Sequence, residues 1–337
     1  LLIIIKSPFY IYMAAVNGMR RFFSENLIVT VYSVIRPVAA ISLIYYGFGV
    51  SGATSGFLIA SFCAVLTGFL TIKGLSLKKP IHIEVRQILM MSVKTIFIFA
   101  AINVLLNVDI LFVKLFINNI DAAGYYTAAT VFSKPPFWFL TSFAVVSLPL
   151  IAKSFSQNDT EQCRLYLTQV LRYSVIIFLP IVVLISITSE ELLYFFYGNE
   201  YIIAHQSLSI LVFGILFIGL INIVANVMIA INKEHVMLIF VLLGCAIDLV
   251  LQCILVPKIG INGAAIATTG CSFLVFVLSC GYVVKNIGYN LKVLSLLRIG
   301  FISVLLVLFH HKDYIEQLPL LIEYMVLYLG FALALIA

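Results

Sequence analysis

Charge is the first thing this chain lacks. Asp, Glu, Lys and Arg make up 10% of its 337 residues, where a soluble domain carries about a quarter. Apolar residues fill the space, at 63%, and the mean hydropathy is +1.17. That composition excludes a soluble globular chain and leaves a polytopic membrane protein. Metal-ligand spacing is lacking as well. Cys63, Cys163, Cys245, Cys253, Cys271 and Cys280 are scattered, mostly at mid-helix, and read as buried inert thiols. His310-His311-Lys312-Asp313 reads as a solvated outer turn rather than a metal site. The chain has no phosphate-cradling Gly-Lys-Ser/Thr loop. Gly52-Ala53-Thr54-Ser55-Gly56 is no nucleophile elbow, because its serine is misplaced and no strand precedes it. The sequence therefore points to neither an enzyme nor a bound cofactor. The net charge of +6 calls for no nucleic acid, since basic residues gather in the cytoplasmic loops of any helical membrane protein. A starting Met is absent too: the chain opens on Leu1 inside an apolar run without a basic leader, which predicts a fragment beginning within a helix.

About twenty apolar residues cross a bilayer. That ruler gives a cut span at Leu1–Val16 and ten full ones. These are Asn26–Tyr46, Val50–Ile72, Gln87–Ile117, Tyr125–Ile151, Leu167–Thr188, Ala204–Ile231, Val236–Val256, Ile261–Val284, Val293–Phe309 and Leu318–Ala337. One set of connecting loops holds Arg20, Arg21, Lys73, Lys78, Lys79, Arg86, Lys153, Arg164, Lys233, Lys285, Lys292 and Arg298. The alternate loops hold Lys258 and Lys312, so the positive-inside rule makes the first set cytoplasmic and puts the C-terminus inside. Tyr46–Ala53 (YGFGVSGA) resembles Pro257–Ala264 (PKIGINGA) at an offset of 211 residues, six spans apart. An even number of spans makes this a parallel repeat. The expected fold is an all-α, two-lobed helical bundle. Residues 1–72 are then the last three helices of an N-terminal lobe, 87–284 a six-helix C-terminal lobe, and 293–337 two added helices.

Polar residues inside apolar spans are the informative ones, since a charge at the bilayer centre costs ~2.5–3.5 kcal/mol on insertion scales. Asn103–Trp138 concentrates them. Asn103, Asn107 and Lys114 share one helical face, with Asp109 on the opposite, apolar side, where it is expected to meet a cation from a neighbouring helix. Thr127, Thr130, Lys134, Trp138 and Thr141 recur at spacings of three or four and are expected to form one stripe. Arg36 falls half a span deep, beside Pro37. Asn222 and Asn226 are stacked, as are Asp248 and Gln252, and on the 211-residue offset Pro37 falls on Asp248. Lys94 and Glu323 lie near helix ends and are expected to snorkel. Arg36 and Lys134 sit too deep for that. They are read either as lining a wet cavity or as paired with Asp109.

The inner Asp, the short loop and Gly124–Ala129 (GYYTAA) resemble the middle of the polysaccharide-repeat-unit flippases, including O-antigen flippases, of the multidrug/oligosaccharidyl-lipid/polysaccharide exporter superfamily. Leu148-Pro149-Leu150, Tyr197–Tyr201 (YGNEY) and Pro257–Ala267 (PKIGINGAAIA) resemble later motifs of that family in order and spacing. The resemblance implies twelve to fourteen helices around a central cavity. It also implies export of an undecaprenyl-pyrophosphate-linked oligosaccharide, for lipopolysaccharide, capsule or exopolysaccharide, across a bacterial inner membrane. Substrate contacts are then expected from Arg36, Lys134, Lys114, Asn103, Asn107, Thr127 and Trp138, with Asp109 and Asp248 serving a coupling ion or charge pairing. The expected partners are the lipid-linked substrate, membrane lipids, H+ or Na+, a polysaccharide polymerase and a chain-length regulator. Three alternatives stand beside this reading. A cation-coupled multidrug antiporter of the same superfamily would want carboxylates in its cavity. A membrane polymerase or ligase would carry a large outer loop, and every outer loop here is short. An assembly scaffold would not need the buried charges.

Overall fold

A computed structural model describes residues 2–18, 21–72, 85–117, 120–157 and 159–287. The spans expected at 293–309 and 318–337, the region 293–337 and His310–Asp313 lie outside them. The described residues form helices and short connections. Eight of the helices are long and apolar enough to cross a membrane. The chain divides into two compact units, Leu1–Ile83 and Glu84–Ala337.

The first unit holds α1 (Leu2–Gly18), α2 (Phe22–Leu43) and α3 (Gly49–Ile72). A π-helical turn, Ile44–Phe48, joins α2 to α3. The chain reverses there because Gly47 (φ 87°) and Gly49 (φ 53°) enter the left-handed region that a side chain resists. Phe9, Val16, Ile28 and Ala64 form the core of this unit. Most of α2 is exposed, as an apolar helix facing lipid would be.

The second unit is built around α9 (His205–Ala230), which is apolar on nearly every side and buried along most of its length. Such a helix has no polar face to give to solvent and belongs at the centre of a bundle. Around it stand α4 (Val85–Phe116), α5 (Ile120–Ser133), α6 (Pro135–Ser156), α7 (Thr160–Ile187), α10 (Glu234–Ile259) and α11 (Ile261–Ile287). The short helix α8 (Ser189–Tyr197) and a 3-10 turn, Asn199–Ala204, link α7 to α9. The Asp159 side chain caps α7 by accepting from the Gln162 amide at 2.9 Å. Asn226 donates to the Asn222 carbonyl and to its side-chain oxygen, at 2.8 and 3.1 Å, so these two satisfy each other along one helix.

Two expectations are corrected here. The span expected at Tyr125–Ile151 is two helices broken at Lys134, because Pro135 and Pro136 have no N–H to give the carbonyls one turn back. The proline pair instead opens α6, a position proline suits. The polar stripe also shifts. Thr127 is exposed but Thr130 is buried, and the exposed edge of α5 passes through Gly124, Thr127 and Val131.

Candidate functional site

The polar residues of the second unit fall into an exposed layer and a buried one, which meet on α4. In the exposed layer, Asn103 and Asn107 return their amide hydrogens to the helix. Asn103 donates to the Phe99 carbonyl at 2.8 Å and Asn107 to the Asn103 carbonyl at 2.9 Å. That leaves the Asn107 Oδ1 as an acceptor, and the Lys134 Nζ donates to it at 3.1 Å. The break at Lys134 puts this ammonium at the start of α6, and Trp138, one turn later, is 63% exposed. Phe137 packs edge-on against the Trp138 ring, with centroids 5.5 Å apart. Thr127 is exposed and donates to the Ala123 carbonyl. Lys114 is exposed near the end of α4. Arg36, in the first unit, is exposed, and its guanidinium lies 4.5 Å from the centroid of the Phe57 ring.

The buried layer centres on two carboxylates. Asp109 is 1% exposed. Its Oδ2 accepts from the Tyr126 hydroxyl at 2.7 Å and its Oδ1 from the Ile110 amide at 2.8 Å. This corrects the expectation that Asp109 meets a cation: its side-chain partner is a phenol from the next helix. Lys134 is close enough to act on Asp109 electrostatically, but its hydrogen bond goes to Asn107. Asp248 on α10 is fully buried and interacts electrostatically with both Asp109 and Tyr126. Gln252, one turn on, donates to the Asp248 Oδ1 at 3.4 Å, the Thr268 Oγ1 at 3.1 Å and the Ala264 carbonyl at 3.3 Å. The Asp248 Oδ2 and the Gln252 Oε1 are buried without a partner.

An ion pair lies elsewhere on α4 and α10. Lys94 Nζ approaches Glu234 Oε1 at 3.1 Å, so Lys94 is paired where snorkelling alone was expected. A buried charge without a partner is strongly destabilising, and a buried polar atom without one costs ~1–3 kcal/mol. Asp109 and Asp248 are thus two buried, interacting carboxyl groups that take no hydrogen bond from a Lys or Arg among the described residues, and one of their oxygens, the Asp248 Oδ2, is unsatisfied. The structure thus gathers Lys134, Asn107, Asn103, Asp109 and Asp248 around α4, while Arg36 belongs to the other unit. Sequence reasoning assigned no role to Tyr126, Ala264 or Thr268. The available signals were Tyr126 inside GYYTAA and Ala264 inside PKIGINGAAIA.

A family model described as the lipid II flippase MurJ matches residues 4–328. The lipid II flippase MurJ of Bacillus subtilis is 28% identical over 167 residues, covering 47% of this chain and 30% of that protein. An uncharacterized membrane protein of Methanocaldococcus jannaschii is 24% identical over 186 residues, covering 54% of this chain and 36% of that protein. The chain therefore spans about a third of the length of these curated relatives. A solved structure of the lipid II flippase MurJ in its inward closed conformation matches with a TM-score of 0.76 at 19% identity. That match covers 99% of this chain and 71% of the solved one, and it is a likeness of fold.

Proposed function

The chain belongs to the lipid II flippase MurJ family, and on that premise we propose that it works in a transporter moving a prenyl-diphosphate-linked saccharide across a bacterial cytoplasmic membrane by alternating access. The family is one of transporters, not enzymes. The observation that carries the reading is the Lys134 ammonium, held by Asn107 on an exposed polar edge, with the buried Asp109 within electrostatic reach. A diphosphate is strongly anionic, and a fixed cation at membrane depth is the feature it needs. Asn103, Asn107 and Thr127 offer hydrogen bonds to sugar hydroxyls, and Trp138 offers an exposed ring against which a sugar face can lie. Lys114 and Arg36 are further anchors for phosphate. Asp109 and Asp248 hold the coupling cation, H+ or Na+, in the buried layer.

Lipid II and an O-antigen or capsule repeat unit share the diphosphate and differ in their sugars. Family membership favours lipid II, while the GYYTAA and YGNEY motifs are the support for the second branch. The multidrug antiporter reading fits less well, because the carboxylates are buried and a half-buried lysine, Lys134, bonds to the exposed Asn107.

The test is translocation by the full-length protein in proteoliposomes, with either lipid-linked saccharide as substrate. Lys134→Ala should slow it about 30-fold or more, the worth of a charge-assisted contact, at unchanged protein abundance. Asp248→Asn should abolish its dependence on a Na+ or proton gradient. Normal transport by Lys134→Ala would sink the headgroup assignment. The relative rates of the two saccharides choose between the branches. A reporter fused after Asn158 or Asn286 should lie in the cytoplasm, and one after Ala122 or Asn199 outside. One fusion on the wrong side would undo the orientation.

A further inference from the structure

The buried acid pair and the half-buried Lys134 are linked by one short helix, α5. Helix α5 is tied to α4 by the Tyr126 hydroxyl, which donates to Asp109 at 2.7 Å, and Lys134, the residue that follows α5, donates to Asn107 at 3.1 Å. Tyr126 and Lys134 are eight residues apart, about 12 Å along a helix, and their acceptors are two residues apart on α4. Tyr126 is fully buried, among the largest side chains in the core. It cannot swing away without α5 moving. The break before Pro135 frees α5 from the backbone ladder of α6, so a shift at Tyr126 is carried to Lys134 rather than absorbed by a longer helix. Both Asp109 oxygens are engaged, one by Tyr126 and one by the Ile110 amide. A cation bound at the free Asp248 Oδ2 therefore meets an Asp109 carboxylate already held in place by the tyrosine hydroxyl.

We propose that Tyr126 is a positioning residue that sets the Asp109 carboxylate and, through α5, reports the occupancy of the acid pocket to Lys134. This rests on the reading of Asp109 and Asp248 as the coupling site. The substrate end carries its own probe. Trp138, the only tryptophan of the 337 residues, lies one turn beyond Lys134 and is exposed. Its emission responds to movement at the start of α6.

The experiment follows Trp138 emission in the full-length protein in detergent as NaCl replaces choline chloride at constant ionic strength. A second series lowers the pH, and 22Na+ binding is measured alongside the first. Wild type should show a saturable change with one of the two cations. Tyr126→Phe keeps the ring and removes one oxygen. It should need about tenfold more cation, the worth of a hydrogen bond to a charged group, and should lose most of the emission change. Tyr125→Phe, the same change one residue away, should match wild type. A structural role alone would lower thermal stability and leave the link between cation and emission intact. Tyr126→His, which keeps an aromatic ring with an N–H donor, should fall between wild type and Tyr126→Phe. It also serves if Tyr126→Phe is not recovered from the membrane. Wild-type affinity and emission in either Tyr126 variant overturn the proposal. A wild type that answers to neither cation overturns the coupling reading, and the role of Tyr126 falls with it.

Discussion

Two hairpins in this chain share a backbone and differ in chemistry. Between α2 and α3, Gly49 takes φ 53° and ψ −136°; between α10 and α11, Gly260 takes φ 68° and ψ −142°. They stand 211 residues apart. Three residues after each comes a second glycine, Gly52 or Gly263, pressed against the end of the preceding helix. On that offset Asp248 matches Pro37 and Thr268 matches Phe57. In α10–α11 the matched places hold a buried acid and the hydroxyl that takes the Gln252 amide. In α2–α3 they hold a proline and an aromatic ring under an exposed guanidinium. Left-handed glycines set the turn wherever they occur, independently of what the flanking helices carry. The difference in charge is therefore not dictated by the turn. One hairpin buries an acid, and the other presents a cation at its surface.

Exchanging the matched residues breaks the comparison most sharply. Thr268→Phe puts the α3 residue into a site that is 1% exposed and strips Gln252 of an acceptor. Overpacking costs about 1–3 kcal/mol, and an orphaned buried amide a similar amount. The variant should melt several degrees lower and lose cation-dependent transport. The reverse change, Phe57→Thr, at a half-buried position, should leave the melting temperature within a degree or two. Equal losses in the two variants would show that the hairpins are not different in kind.

The glycines sharpen the same comparison at a smaller scale. A Cβ on residue 263 would collide with the Leu255 carbonyl oxygen, which is backbone and cannot turn aside. One on residue 52 would lie 2.9 Å from the Phe48 Cβ and 3.0 Å from the Leu43 carbonyl carbon, a somewhat looser fit. Gly263→Ala should cost about 1–3 kcal/mol and Gly52→Ala less, read as thermal unfolding in detergent. The reverse order would mean that the closer approach belongs to the first hairpin.

The helical fold was legible because apolar runs of bilayer length leave little choice, and the glycine turns were visible as a repeated motif. The break at Lys134 was half legible. Pro135-Pro136 stood in plain view, but apolar residues on both sides made one span the simpler reading. The role of Asp109 was not legible in full. Helical phase places it on the apolar side, yet phase cannot tell whether a phenol or an ammonium from the next helix arrives there, since each satisfies a buried carboxylate oxygen. Thr268 was hidden for a related reason. Its partner Gln252 lies on another helix, and the adjacent pair Thr268-Thr269 carries no periodic signal.

The smallest expected effect concerns the cation of the first hairpin. Arg36 lies over Phe57 with its guanidinium 4.5 Å from the ring centroid, at an exposed position. An exposed cation–π contact is worth about 0.5–1 kcal/mol, so its loss should hardly alter stability. For anchoring a diphosphate, the planar fork matters more than the stacking. Arg36→Lys keeps the charge and loses both the fork and the flat face. It should slow translocation of a prenyl-diphosphate-linked saccharide a few-fold, with the melting temperature unchanged, and Arg36→Ala should slow it further. Phe57→Leu, which removes the ring and leaves the guanidinium, separates the two contributions. If the ring orients Arg36 for phosphate, Phe57→Leu and Arg36→Lys should be equally slow. If only the fork matters, Phe57→Leu should transport at the wild-type rate. Should all three variants match wild type, Arg36 faces lipid headgroups rather than substrate, and the hairpin that presents its own cation has no part in transport.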